Sequence, residues 1–341
     1  MSTSNINKVL IIQTASLGDV ILATALIEKL HAFFPKARID FLLKEGYEEL
    51  LRYHPHLKFV IVWDKSKNKY RNLKEIIGVV RQNRYDLVIN IQRFASSGLI
   101  TMAANAAHTV GFNKNPLSLL FSKRIKHQIK NRKNSPHEVE RNLKLIEHLT
   151  DSSVFKPKLY PTKHDFAFVS QFKTRQYITV SPASLWFTKQ WPKEKWIDFV
   201  NNLDRELTVY LLGSPKEKSL CDDIINQSGH SNALNLAGKL SFLQSAALMR
   251  DALMNYTNDS APMHLASAMD APVTAVFCST VPEFGFRPLS GQSYIIQTSE
   301  QLICRPCGLH GFNKCPKKHF KCATTIKVEQ LAKILNNTEN Q

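Results

Sequence analysis

At 341 residues the chain is too long for one ordinary hydrophobic core and suits two α/β domains. With 43% hydrophobic and 21% charged residues it has the balance of a folded, soluble protein, and no apolar run approaches the roughly 20 residues that a bilayer span needs. The net charge of +17 favours polyanions (nucleic acid, anionic lipid head groups or a phosphorylated glycolipid) without choosing among them.

In chain order, 8–13 is a β-branched apolar run, and Thr14–Gly18 supplies a turn. Asp19–Phe34 repeats apolar residues at helical spacing up to Pro35. Strands are predicted at 38–43, 59–63 and 87–91, and helices at 47–53, 72–83, 95–106 and 136–149. Asp19 and Gly18 interrupt the N-terminal apolar stretch and no small-residue cleavage site follows. The chain is therefore expected to lack a signal peptide and to be cytoplasmic. The stretch 151–174 holds Pro157 and Pro161 with little periodicity and reads as the interdomain connection. The pattern then restarts. Strands are predicted at 177–181, 208–212, 233–236, 252–257, 273–277 and 294–297. Helices are predicted at 193–203, 215–227, 241–251, 260–269 and 327–335. Alternating strands and helices predict parallel sheets with helical crossovers, hence two Rossmann-like domains, 1–165 and 166–341.

In such sheets ligands gather beyond the carboxyl ends of the strands. Three loops there carry polar residues with no evident packing role. In Thr14–Asp19, Gly18 permits close approach, and Asp19 is either a cap at the positive helix end or a general base. In Ser181–Pro192, hydroxyls and Lys189 precede a helix, a composition suited to phosphate. In Asn258–His264, Asp259 or Ser260 can cap a helix whose free N–H groups receive an anion, with Pro262 in the first turn. His264 either meets a ligand or satisfies a backbone carbonyl.

Two stretches are free of acid, 113–134 and 301–328. The first makes Lys123, Arg124 and Lys126 candidates for binding an anionic acceptor or a membrane face without insertion. Of six cysteines, Cys221 and Cys278 sit in apolar surroundings. Cys304, Cys307, Cys315 and Cys322 form Cys-x2-Cys-x7-Cys-x6-Cys, which reads as a structural zinc site or as free thiols. Gly-x-Gly-x-x-Gly and the P-loop pattern are absent, and so is the Asp-x-Asp pair that holds a metal against a sugar nucleotide. Lys189 and a helix terminus would then take the charge of a leaving diphosphate.

Lys8–Ile12 with Ser16-Leu17-Gly18-Asp19, then Lys189-Gln190-Trp191-Pro192, Asn258-Asp259-Ser260 through His264-Leu265-Ala266, and Ser279-Thr280-Val281-Pro282 resemble glycosyltransferase family 9, the heptosyltransferases. The resemblance implies a GT-B fold, two Rossmann-like domains with parallel sheets facing across a cleft. It also implies inverting, metal-independent transfer of heptose or a related sugar from an ADP-sugar to a lipopolysaccharide core or other surface glycolipid, with no cofactor required. The N-terminal domain, with its basic stretch 113–134, is expected to hold the acceptor, and by the resemblance Asp19 is the catalytic base. Ser184 and Lys189 contact the donor, Asp259, Ser260, Ala261 and His264 line its site, and Glu217 lies near the nucleoside. The expected setting is the inner face of the cytoplasmic membrane, as a peripheral protein. Ala261-Pro262 departs from the glycine usual after the Asp-Ser/Thr pair, and Trp186-Phe187 replaces a more polar loop. A GT-B-like nucleotide-sugar epimerase and a basic nucleic-acid-binding protein are the rival readings; no nucleic-acid-binding signature is visible.

Overall fold

A computed structural model describes residues 6–66, 68–129, 132 and 134–339. The chain forms two compact units. The first ends at Tyr160 and the second begins at Pro161, with the short stretch just before Pro136 grouped with the second.

The first unit alternates β1 (Lys8–Ile12), α1 (Leu17–Phe33), β2 (Arg38–Lys44), α2 (Glu48–Leu51), β3 (Phe59–Trp63), α3 (Lys69–Asn83), β4 (Leu87–Asn90), α4 (Ala95–Ala103), β5 (His108–Phe112), β6 (Lys123–Ile125) and α5 (Glu138–Leu143). All strand pairs are parallel, in the order β3-β2-β1-β4-β5-β6. The order reverses between β1 and β4, so the loops after these central strands flank the switch point where open α/β sheets bind ligands. β1 is a continuous apolar run because both its faces are covered. α1 buries Val20 through Leu30 without a gap. Its sequence is apolar on all sides rather than striped, which is why it lies inside the unit. Its few polar groups are paired: the buried Lys29 ammonium donates to the carbonyls of Asp151 and Ser153, each at 2.7 Å. Leu10, Ile12, Leu42, Trp63, Val80, Val88 and Ile100 pack into a core on one side of the sheet.

The second unit runs α6 (Lys163–Val169), β7 (Tyr177–Ser181), α7 (Lys193–Asn201), β8 (Thr208–Leu211), α8 (Lys218–Ser228), β9 (Ala233–Asn235), α9 (Phe242–Arg250), β10 (Met254–Asn258), α10 (Ala261–Ala268), β11 (Val273–Phe277), β12 (Ser293–Gln297), α11 (Lys321–Thr324) and α12 (Val328–Glu339). Its sheet is again parallel, in the order β12-β11-β10-β7-β8-β9, with its switch point between β7 and β10. Trp191, Trp196, Phe199 and Tyr256 form an aromatic centre, with ring centroids 4.9 Å apart for the two tryptophans and 4.6 Å for Phe199 and Tyr256. Trp191 is thus a core anchor.

Several elements differ from expectation. β5 and β6 were not predicted: β5 carries His108 and Gly111, and β6 has three residues, two of them cationic. β5 becomes a strand by pairing with the ready edge of β4, and β6 by pairing with β5 in turn, which local periodicity cannot report. α6 forms where a linker was predicted. Thr162 and Asp165 cap it reciprocally: the Thr162 N–H donates to Asp165 Oδ2 at 2.7 Å, and the Asp165 N–H to Thr162 Oγ1 at 3.2 Å. The 136–149 helix is regular only over Glu138–Leu143.

Candidate active site

In the first unit, Ser16 is the N-cap of α1 and Asp19 stands in its first turn. The Ser16 hydroxyl and N–H donate to Asp19 Oδ2 at 2.6 and 3.2 Å. Capping therefore occupies one carboxylate oxygen, while Oδ1 has no protein partner among the described residues. Burial raises the Asp19 pKa above its ordinary value; the Ser16 hydroxyl opposes this, the nearby Glu138 charge adds to it and Lys114 lowers it. A desolvated carboxylate with a free oxygen is chemically a base in waiting. The loop is pinned by Lys65, which reaches the Thr14 carbonyl and hydroxyl at 3.2 and 2.7 Å. Burial brings its ammonium down to about 8.

A charged group missed from sequence surrounds Asp19. Glu138, on α5, which packs against α1, accepts from Arg141 Nε at 2.6 Å and lies 3.2 Å from His127 Nε2. Burial alone would raise its pKa, yet His127 and Arg141 hold it at about 2. Lys114, just past β5, feels the Glu138 and Asp19 carboxylates and the Arg93 and Arg141 cations, and burial lowers its pKa. Arg93, Lys114 and His127 follow β4, β5 and β6, neighbours in the sheet, so all three rise at the edge where Asp19 sits. Glu138 is the first acid after Asp86, a signal available in the sequence. Of the predicted anion-binding residues, Lys123 is half-buried in β6 while Arg124 and Lys126 are exposed; Lys130 and Lys133 lie outside the described residues.

In the second unit, Asn258 at the end of β10 ties down the loop after β7. Its Oδ1 accepts from the Trp191 N–H at 2.9 Å, and its Nδ2 donates to the Pro182 carbonyl at 2.7 Å. Lys189 is thereby brought to Asp259, Nζ to Oδ2 2.7 Å, and the Thr280 hydroxyl donates to the same oxygen at 2.6 Å. His264, in the first turns of α10, is buried with no hydrogen-bond partner on Nδ1. Burial depresses its pKa to about 4, against the pull of Asp259 and with the push of Lys189, so the ring is neutral at pH 7. Ser260 is the N-cap of α10, and Ala261 and Pro262 open the helix. Lys189, Asp259, Ser260, Ala261 and His264 therefore converge beside one helix start, which leaves N–H groups directed at any bound anion. Ser184 is half-buried, and its carbonyl accepts from Gln190 Nε2 at 2.7 Å. Glu217 follows β8, next to β7, and accepts from the Ser214 N–H at 2.6 Å.

The cysteine segment holds this site from behind. Arg305 donates to the carbonyls of Cys278, Phe277 and Thr280 at 2.7, 3.1 and 2.8 Å, fixing the turn that carries Thr280. Thr188 exchanges backbone and hydroxyl bonds with Phe312 (3.0 and 2.8 Å), and Ser279 Oγ lies 3.0 Å from Thr188 Oγ1. Gly311 has φ +78, and a Cβ there would come within 2.9 Å of Thr188 Oγ1 and 3.1 Å of Lys189 Cγ. Of the two readings of the cysteine spacing, zinc or free thiols, the structure gives this geometry: Cys304 Sγ is 3.8 Å from His319 Nε2, and among the described residues no three His, Cys, Asp or Glu side chains are disposed to hold a metal ion. Cys304, Cys307, Cys315 and Cys322 are free thiols here. Burial raises the pKa values of Cys221 and Cys278, as suits inert core thiols.

The model of glycosyltransferase family 9 (heptosyltransferase) matches residues 74–309, more than half of the chain. The chain belongs to this family. The family-9 enzyme is 26% identical to lipooligosaccharide heptosyltransferase 2 of Haemophilus ducreyi over 315 residues, 85% of this chain and 88% of the relative. Among solved structures it resembles Escherichia coli ADP-heptose lipopolysaccharide heptosyltransferase II at 22% identity, with a TM-score of 0.79 over 97% of this chain and 98% of that one. It also resembles E. coli heptosyltransferase WaaC solved with ADP, at 20% identity and a TM-score of 0.71 over 97% and 99%. The fold is GT-B, two Rossmann-like domains, and the family-9 enzyme is a glycosyltransferase.

Proposed function

We propose that this enzyme transfers heptose from ADP-heptose to the lipopolysaccharide core or a related surface glycolipid, inverting the anomeric centre. The substrates named for its relatives support this reading. The observation that carries it is the Lys189–Asp259–Thr280 cluster beside the buried, neutral His264 at the head of α10. In the reaction Asp19 Oδ1 takes the proton of the acceptor hydroxyl as that oxygen attacks the anomeric carbon, and the bond to the diphosphate breaks on the opposite face. Lys189 and the N–H groups opening α10 take the charge that develops on the leaving nucleotide. Asp259 orients Lys189 and offers its other oxygen to sugar hydroxyls, while Ser184 and Glu217 lie where the rest of the donor would be held. The first unit receives the acceptor. Lys123, Arg124 and Lys126 offer charge to its phosphates and to an anionic membrane surface, which supports a peripheral setting at the cytoplasmic face. Among the described residues no helix is long and apolar enough to cross a membrane. Family membership favours transfer over the epimerase reading.

A donor screen tests this reading, with ADP-heptose, ADP-hexoses and UDP-hexoses offered beside a heptose-deficient lipopolysaccharide. Release of ADP from ADP-heptose with growth of the acceptor is expected. Turnover confined to a UDP-sugar, or an isomerised free donor with no acceptor consumed, would refute it.

A further inference from the structure

From Leu87 to His137 the chain contains no acidic residue. Within that span the first unit leaves large apolar side chains in water: Phe94 (48% exposed), Leu99 (47%), Met102 (37%), Leu119 (75%) and Leu120 (61%). The fold does not need them inside. α4 buries Ser97, Gly98, Ile100 and Thr101, and presents Leu99 and Met102 on its other side. Leu119 and Leu120 sit in the short 3-10 turn Ser118–Leu120, just after Leu117. That turn is bolted to α4. The Asn115 amide donates to the Gln92 and Phe94 carbonyls, both at 3.0 Å, and to Ser97 Oγ at 3.2 Å. Leu117 fills the notch left by Gly98, where a Cβ would come within 2.9 Å of it. A rigid platform thus carries both groups of apolar side chains. Arg93 precedes it, Lys123 and Arg124 follow it in the edge strand, and Lys126 comes just after that strand.

We propose that this platform is a membrane-docking surface which seats Leu119 and Leu120 in the interfacial layer of an anionic bilayer, with the flanking cations on lipid head groups. Exposed apolar side chains flanked along the chain by Lys and Arg match that boundary, where acyl chains lie just beneath anionic phosphates. A second copy of the chain is a poor occupant. An isologous contact would set these cations against their own copies with no acid in the span to offset them. A nucleic acid would use the charge and leave the leucines wet. The inference deepens the peripheral contact proposed above by adding insertion, and it depends on neither the donor nor the sugar.

The test is co-sedimentation of the full chain with two kinds of vesicle, phosphatidylcholine alone and phosphatidylcholine with three-tenths phosphatidylglycerol, both free of lipopolysaccharide. Strong binding to the anionic vesicles and weak binding to the neutral ones is expected. Leu119→Ser with Leu120→Ser should lower anionic binding roughly tenfold at low and moderate salt alike, keeping the melting temperature and ADP affinity of the parent. Lys123→Gln with Arg124→Gln should weaken binding and flatten its salt dependence. Parental binding by the leucine variant would overturn insertion, leaving charge alone. Equal parental binding to both vesicles would overturn the anionic surface. Loss of a self-associated species in sedimentation velocity, with vesicle binding unchanged, would assign the leucines to a second copy. Absence of binding to these vesicles, with binding only when lipopolysaccharide is added, would move the site to the acceptor itself.

Discussion

The two oxygens of Asp19 have different surroundings. Oδ2 closes the start of α1 with Ser16, and Oδ1 has no protein partner among the described residues. The raised pKa follows from burial first, and it has a consequence for stability. A carboxyl that holds its proton more tightly when folded favours the fold below its unfolded pKa, and that support is lost as pH rises through the folded value. At neutral pH the buried charge is a net cost. Asp19→Asn keeps an oxygen for Ser16 and removes the charge. It is expected to raise the melting temperature while turnover falls by about 10²–10⁴. Parallel scanning calorimetry and product formation check this, and unchanged turnover removes Asp19 from the mechanism. Lys114 supplies a second check, because its cation lowers the Asp19 pKa. In Lys114→Gln the acid limb of kcat/KM moves to higher pH, and in Lys114→Arg it stays. A limb that does not move separates Lys114 from the base.

Short connecting elements, rather than the sheets, decide whether Lys189, Asp259 and Thr280 are held in place. Lys189 sits on a 3-10 turn whose neighbour Thr188 is gripped by Phe312 and Ser279, while Arg305 grips the turn that carries Thr280. Both partners of Asp259 are therefore placed by the cysteine segment. Thr188→Val fills the same space without the hydroxyl and leaves the Phe312 N–H unpaired, at about 1–3 kcal/mol. It is expected to raise the donor KM several-fold and to spare the acceptor KM, and Thr188→Ser restores the parent. Equal effects on both KM values would point to general loosening. In the first unit Gly98→Ala should cost about 1–3 kcal/mol, because its Cβ would press on Leu117 and Asn115. Denaturant unfolding measures it, and a neutral result would show that the 115–120 turn yields freely.

Taken whole, the molecule repeats one plan. Each unit has a six-stranded parallel sheet with a switch point, and the two switch points carry different groups: a desolvated carboxylate in the first, the Lys189–Asp259 pair in the second. If the roles are divided in this way, ADP should bind Asp19→Asn as it binds the parent. Lys189→Ala should weaken ADP roughly tenfold, as loss of a charge-assisted contact does. The double variant should bind ADP like Lys189→Ala alone. Titration calorimetry on the three variants decides it, and an ADP affinity that drops with Asp19→Asn would make the base a donor residue.

Periodicity and turn chemistry were enough to read two βαβ halves and the three loops with Asp19, Lys189 and Asp259, because burial on one face or two writes itself into neighbouring residues. Other features needed the strand order. β5 exists only because β4 offers it an edge, and β6 because β5 then offers the next, since neither is apolar enough to announce itself. The 70-residue gap between Lys189 and Asp259 closes only because β7 lies beside β10. The same dependence explains why the contacts of Glu138, Thr188, Thr280 and Arg305 are not legible in the sequence and why, among the described residues, the cysteine spacing does not bring three metal-ligating side chains together. Spacing along a chain constrains neighbours in sequence. Which side chains meet, and which oxygen stays free, is settled by the order in which strands pair and by the carbonyls and hydroxyls that each crossover brings within reach.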